Sequence, residues 1–296
     1  MSSDVAAGQN RLPLFEMPSP FLLESGTLKL LEPPEASREA LAEALVDGEY
    51  NKPFVLEKDG LRSLYFSLCF IQSTMRVKEP DALDLIYTQK MMSFLLFNPK
   101  PKRVLLIGLG GGSIAKYCHR RLPGAQMTVV ELDPHVLAYR HEFLVPADTE
   151  RFRIIEGDGA EYVANLNEKV DALLVDAFDE NGVAPSLADD TFFQNAYRRL
   201  SGKGILIMNI AGDRGEYGDH VDRLCAVFGD RVLAMSVKDG GNLIAFAFKD
   251  EQFEPRWTTL RSIAPEMQRR FGLDFPRFVQ LLENGQKRRL VGKTRN

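Results

Sequence analysis

The 296-residue chain is predicted to be α/β: a mostly parallel sheet with helices on both faces, preceded by a small antiparallel β-sheet. Three observations carry that expectation. From Arg103 onward, short continuous apolar runs alternate with helical segments, as in strands buried on both sides. The first of these runs ends in a glycine cluster that opens a helix. Between residues 50 and 78, runs rich in β-branched and aromatic residues follow one another with turns, not helices, between them.

Residues 1–50 are expected to form an irregular arm, because Leu12-Pro-Leu-Phe15, Pro18-Ser-Pro20 and Glu32-Pro-Pro-Glu35 interrupt regular structure. Inside it Ser37 can cap a helix that runs to Leu45. Residues 51–98 make the small sheet and a linking helix. There, strands Phe54–Glu57 and Leu61–Phe66 flank Lys58-Asp-Gly60, a tight hairpin signal, and a third strand covers Phe70–Val77. Asp81 is expected to cap the linking helix, in which Leu83, Ile86, Tyr87, Met91, Phe94 and Leu95 recur at helical spacing.

Residues 99–250 hold the main sheet. Its strands are expected at Val104–Ile107, Met127–Leu132, Arg151–Ile155, Ala172–Asp176 and Ile205–Ile210, with helices over Ser113–Arg121 and Pro134–Phe143. Val232–Val237 and Leu243–Phe248, with Gly240-Gly241 between them, read as a closing antiparallel hairpin. Residues 251–296 are expected to be helical from Trp257 to Leu282, ending in a solvated basic tail around Gln286-Lys-Arg-Arg-Leu290.

Composition excludes several functions. With 37 basic and 41 acidic side chains the net charge is −4, so no overall field draws nucleic acid or anionic lipid, and neither partner is expected. Cys69, Cys118 and Cys225 are too few and too scattered for a disulfide framework or a zinc site. The four histidines lack ligand spacing, and no metal is expected. The first 20 residues contain Asp4, Glu16 and three prolines but no signal-peptide core. No run approaches the ~20 apolar residues of a membrane helix, which points to a cytoplasmic protein. Neither a nucleophile elbow nor a Walker loop is present, so hydrolase and ATPase chemistry lose their usual signatures.

In an open parallel sheet, ligands bind beyond the carboxyl ends of the strands. Four features fall there in order. In Ile107-Gly-Leu-Gly-Gly-Gly-Ser113, the glycines Gly108, Gly110, Gly111 and Gly112 let a ligand approach the backbone and the helix N-terminus. Ser113 stands where a dinucleotide fingerprint has glycine, which favours a mononucleoside such as an adenosyl sulfonium. Glu131 lies nineteen residues after Gly112, where a carboxylate accepts ribose hydroxyls. In Gly157-Asp158-Gly159, Asp158 can accept an adenine amino group while Gly159 admits the ring; a turn cap is the plainer alternative. Asp176, placed by a buried strand, faces the reacting group, with Asp179 and Glu180 in the loop that follows.

These features, behind a small N-terminal sheet, resemble the polyamine aminopropyltransferases, the spermidine synthase family, over roughly residues 50–250. The most telling segments are the glycine loop, Val129-Val-Glu131-Leu-Asp133, Gly157-Asp-Gly159, and Val175-Asp-Ala-Phe-Asp179 followed by Pro185, Leu187 and Phe192. The resemblance implies a Rossmann-like fold of the adenosylmethionine-methyltransferase type. It also implies transfer of an aminopropyl group from decarboxylated S-adenosylmethionine, as co-substrate, to a diamine such as putrescine, with 5′-methylthioadenosine as product. Asp176 would accept the proton; Asp179, Gln72 and Tyr87 would bind the amine; Glu131 and Asp158 would hold the nucleoside. A homodimer is implied as well. The family's loop aspartate is here Gly111, its Tyr-His-Glu segment reads Tyr87-Thr-Gln89, and its Asp-Ser-x-Asp-Pro reads Asp176-Ala-Phe-Asp179-Glu180. A carboxylate at position 111 would repel the carboxylate of intact adenosylmethionine by several kcal/mol at ~4 Å. Without it, two alternatives stay open: an adenosylmethionine-dependent methyltransferase on the same fold, and a non-catalytic nucleoside-binding relative.

Overall fold

A computed structural model describes residues 13–67, 70–179, 182–211, 217–237 and 241–293. Cys69, Glu180 and Gly240, named above, lie outside these residues.

The N-terminal region holds more regular structure than its prolines suggest. β1 (Phe15–Pro18) and β2 (Thr27–Leu30) pair antiparallel, and β2 continues the sheet onto β3 (Phe54–Lys58), β4 (Leu61–Ser67) and β5 (Phe70–Arg76). The expectation of an irregular arm is therefore corrected: Phe15, Met17, Leu28 and Leu30 alternate into a core shared with Phe54, Leu56 and Tyr65. Pro18 is tolerated because it ends a four-residue edge strand. In α1 (Arg38–Asp47) Ser37 is the N-cap, its hydroxyl accepting the Ala40 N–H. Asp59 and Gly60, both at positive φ, close the β3–β4 hairpin.

Asp81 does not cap the linking helix. α2 (Ile86–Met91) starts later, after Leu85, and runs into a 3-10 turn over Met92–Leu96. Residues 76–79 form a bridge first, and the Asp81 carboxylate pairs with Arg120 instead.

Next come β6 (Arg103–Ile107), α3 (Ser113–Arg121), β7 (Gln126–Glu131), α4 (Pro134–Ala138), β8 (Phe152–Glu156), α5 (Gly159–Asn165) and β9 (Val170–Val175). A short ribbon, β10 (Phe178–Asp179) and β11 (Gly182–Val183), precedes α6 (Asp190–Arg199), β12 (Leu200–Ala211) and α7 (Tyr217–Phe228). The chain closes with β13 (Val232–Val237), β14 (Asn242–Phe248), α8 (Trp257–Phe271) and α9 (Phe275–Lys293). The expected helix to Phe143 stops at Ala138, and Leu144 takes a positive φ of 54°. Gln286–Leu290 is not a tail but part of α9, where Gln286 accepts the Trp257 indole N–H at 2.9 Å.

The main sheet has seven strands in the order β13-β14-β12-β9-β6-β7-β8, parallel from β12 to β8 and antiparallel at the β14 and β13 edge. Alternating residues feed two cores. Val104, Leu106, Ala172, Leu174, Ile205 and Ile207 join the face covered by α3, α8 and α9. Leu105, Ile107, Leu173, Val175, Leu206 and Met208 join the face that holds residues of α5, α6 and α7. From β6 the chain winds one way to β7 and β8, then returns to place β9 and β12 on the other side. The switch point therefore lies between β6 and β9. Among the described residues, no helix is long and apolar enough to cross a membrane.

Candidate active site

At the switch point the parallel pair Ile107↔Val175 hands over to Gly108 and Asp176. The Asp176 N–H donates to the Ile107 carbonyl and the Gly108 N–H to the Val130 carbonyl, both at 2.9 Å. Gly108 has φ +91°, and a Cβ there would lie 2.1 Å from the Asp176 carbonyl oxygen. Only glycine lets these two strand ends meet. The loop then turns through Gly110 and Gly112 and enters α3, whose N-cap is Gly112 at φ +69° with no side-chain cap. The first turn of α3 thus keeps amide donors free of side-chain partners at the strand ends.

Gly111 is set by space. A Cβ at that position would meet Ser73 Oγ at 2.7 Å and the Phe143 ring at 2.8 Å, so the side of the loop that a longer residue would occupy is already filled. Ser73 comes from β5, and its hydroxyl lies 3.4 Å from that of Ser113. The N-terminal sheet therefore seats directly on the glycine loop through Ser73, and Gln72, half-buried, precedes it on β5.

Glu131, at the end of β7 and only 9% exposed, holds the loop from the other side. One carboxylate oxygen accepts the Leu109 N–H at 2.7 Å, the other the Asp133 N–H at 2.9 Å. Each oxygen keeps a lone pair for a further donor, as a ribose-binding carboxylate requires. Asp133 caps α4 by accepting the His135 N–H.

Asp158 is the N-cap of α5, its Oδ1 accepting the Glu161 N–H at 2.9 Å. The plainer alternative is thus what its first oxygen does. Gly159 is also explained internally: a Cβ would stand 2.3 Å from Ile107 Cγ2, so the glycine admits the strand's own side chain.

Asp176 is the chemically distinctive group. Its Oδ1 accepts from Asn209 Nδ2 at 2.9 Å and its Oδ2 from the Tyr87 hydroxyl at 3.3 Å. Burial pushes its carboxyl up to about 6, while the two hydrogen bonds hold it back from rising further. Tyr87 is pushed well above its ordinary range, by burial first and then by the neighbouring carboxylate. A carboxyl that loses its proton near neutrality and sits at the switch point of a parallel sheet suits a proton acceptor. Tyr87, which the resemblance assigns to the amine, is brought to Asp176 from 89 residues away. Asp179 lies in β10, and its side chain is outside the described residues.

Sequence reasoning missed Asn209 and Asn242. Asn209, 1% exposed, joins Asp176 to Asn242, whose Nδ2 donates to Asn209 Oδ1 at 2.9 Å. One signal was available: an asparagine inside Ile205-Leu-Ile-Met-Asn-Ile210 must find polar partners, because a buried amide is hydrogen-bonded.

The Spermine/spermidine synthase domain family matches residues 84–212. The polyamine aminopropyltransferase of Chromobacterium violaceum is 37% identical over 230 residues, covering 77% of this chain and 88% of the relative. That of Neisseria meningitidis serogroup A is 35% identical over 227 residues, covering 76% and 86%. Among solved structures, a probable spermidine synthase from Corynebacterium glutamicum superposes with a TM-score of 0.63 at 20% identity, covering 74% of this chain and 85% of that one. At that identity the likeness speaks to the fold, which is the one expected. Human methyltransferase-like protein 13, solved with SAH, shares it at a TM-score of 0.54 and 21% identity, over 66% and 93% of the two chains. With a switch-point carboxyl behind a glycine loop, and relatives of this identity along most of its length, the chain belongs to the polyamine aminopropyltransferase family.

Proposed function

We propose that this protein transfers the aminopropyl group of decarboxylated S-adenosylmethionine to a diamine such as putrescine, releasing 5′-methylthioadenosine. The observation that carries the reading is Asp176, a half-buried carboxyl pushed up to about 6 and held at the switch point by Tyr87 and Asn209. The reaction is an in-line displacement. The amine nitrogen forms a bond to the carbon next to the sulfonium, the carbon–sulfur bond breaks with its electron pair going to sulfur, and the nitrogen's proton goes to Asp176. Because the attacking amine must be neutral while the diamine is a dication at pH 7, one carboxylate must take a proton and another must hold the distal ammonium. We assign the first task to Asp176 and the second to Asp179, with Gln72 and Tyr87 lining the amine. Glu131 would hold the ribose through its remaining lone pairs, Asp158 the adenine through its free Oδ2, and the amides of Gly110–Gly112 would border the donor.

A second reading, methyl transfer from intact adenosylmethionine, draws on one observation. The loop carries no carboxylate at Gly111, and Ser73 and Phe143 offer only a neutral hydroxyl and a ring there. One experiment separates the two. Purified protein is supplied with putrescine and either donor, and methylthioadenosine and adenosylhomocysteine are quantified. The proposal expects methylthioadenosine from the decarboxylated donor alone, with at least a 100-fold loss in Asp176→Asn, about 2.7 kcal/mol. Adenosylhomocysteine formation, or full turnover in that variant, would overturn it.

A further inference from the structure

Asn209 and Asn242 have no place in the reading so far, yet their geometry bears on its central group. β12 runs parallel to β9 with Met208 opposite Val175, so Asn209 falls beside Asp176, just past the end of β9. On its other side β12 runs antiparallel to β14 with Asn209 opposite Ile244, which leaves Asn242 diagonal to Asn209 on the same face. The three side chains form a line: Asn242 Nδ2 to Asn209 Oδ1 at 2.9 Å, then Asn209 Nδ2 to Asp176 Oδ1 at 2.9 Å.

A carboxamide has one donating and one accepting end, and a carboxylate accepts only. Asn209 must therefore present its NH2 to Asp176; turned over, it would set oxygen against oxygen in a buried place. Asp176 sets which way Asn209 faces, and Asn242 braces that orientation by placing its NH2 on the Asn209 carbonyl at 2.9 Å. We infer that Asn209, braced by Asn242, is a positioning residue that fixes how the Asp176 carboxylate is presented and keeps it ionised for the incoming amine. The edge hairpin thereby reaches the active centre without touching substrate. The inference rests on the proton-acceptor role of Asp176 proposed above.

Among the described residues, Tyr87 from α2 contacts its second oxygen, and the Gly108 backbone, just past β6, lies against its carbonyl. Lys90, further along α2, donates to the Ser236 carbonyl on β13. Asp179 follows three residues later in the chain.

The test reads the titration of Asp176 directly in the full-length protein, labelled with 13C at the aspartate carboxyls. Its resonance is assigned as the one lost in Asp176→Asn. Asn209→Leu is expected to move the midpoint up by about one pH unit, since a donor to the charged form is gone. Asn242→Leu is expected to move it the same way, and to add nothing in the Asn209→Leu background. A midpoint left in place by Asn242→Leu, or two effects that simply add, would overturn the inference. Should Asn209→Leu fail to fold, Asn209→Ala carries the same comparison. Transfer by the unmutated protein is assayed separately. Its absence would sink the proposed reaction while leaving the titration result to stand or fall alone.

Discussion

At the scale of single residues, Asp176 shows how a site can cost the fold stability. Its pKa of about 6 lies above the ~3.9 of an exposed aspartate, so between those values the folded chain binds more protons than the unfolded one. This group's contribution therefore falls as pH rises from about 4 to 6, and above that the ionised carboxylate costs up to about 3 kcal/mol. Asp176→Asn keeps the shape; its carbonyl still accepts from Asn209, and its NH2 can donate to Tyr87 once that hydroxyl turns to accept. It should raise Tm at pH 7.5 by more than at pH 4, while abolishing transfer. Scanning calorimetry at the two pH values checks this; a variant less stable than the parent at pH 7.5 would contradict the burial argument. Asp176 and the glycines were legible in the sequence, because a carboxylate after an apolar strand and a glycine run before a helix are local patterns; Tyr87 was named only through the family resemblance. Asn209 was not, since its meaning depends on which strands lie on either side of it.

At the scale of elements, close approach explains several glycines better than a ligand does. Gly159 at the start of α5 admits Ile107, and a methyl group there would lie 2.3 Å from Ile107 Cγ2. Gly159→Ala should cost roughly 1–3 kcal/mol by overpacking. Ile107→Ala should cost about 2–5 kcal/mol by leaving a cavity, and the double variant clearly less than the sum. Urea denaturation of the four proteins checks it, and strict additivity would show that the contact does not limit packing. The central strand positions came from apolar runs and needed no tertiary information, and Ser37 acts as the cap it was expected to be. Asp81 failed as a cap because a charged partner, Arg120, was available across the fold, a competitor that local spacing does not reveal.

At the scale of the whole molecule, the N-terminal sheet and the half built on the main sheet are clasped through residues 139–145. Tyr139, 1% exposed, donates to the Lys29 carbonyl at 2.9 Å and lies 3.2 Å from the Pro53 carbonyl. Lys29 also pairs with Glu142 at 2.7 Å, and Arg62 binds the Glu142 carbonyl. From the other side Lys116 of α3, buried and with its ammonium lowered to about 8 mainly by burial, donates to the Phe143 carbonyl at 2.6 Å. This segment also presses Phe143 and Val145 against Gly111 and Gly112. Tyr139→Phe should therefore destabilise the protein by about 1–3 kcal/mol, because buried carbonyls lose their donor. A Tm unchanged within a degree would show that the clasp contributes nothing.

By itself the sequence determined the α/β class, the order of the central strands, the hairpin at Asp59-Gly60, the glycine loop and the acidic groups at the strand ends. Each of these is written in runs of neighbouring residues whose periodicity or backbone freedom admits one answer. Tertiary structure alone decided that the proline-broken first segment completes a five-stranded sheet, and that Tyr87 and Asn209 meet on one carboxylate. It also decided that the space beside Gly111 is filled. These outcomes depend on which surfaces meet after segments distant in the chain have packed together, and burial rather than local preference selects among them.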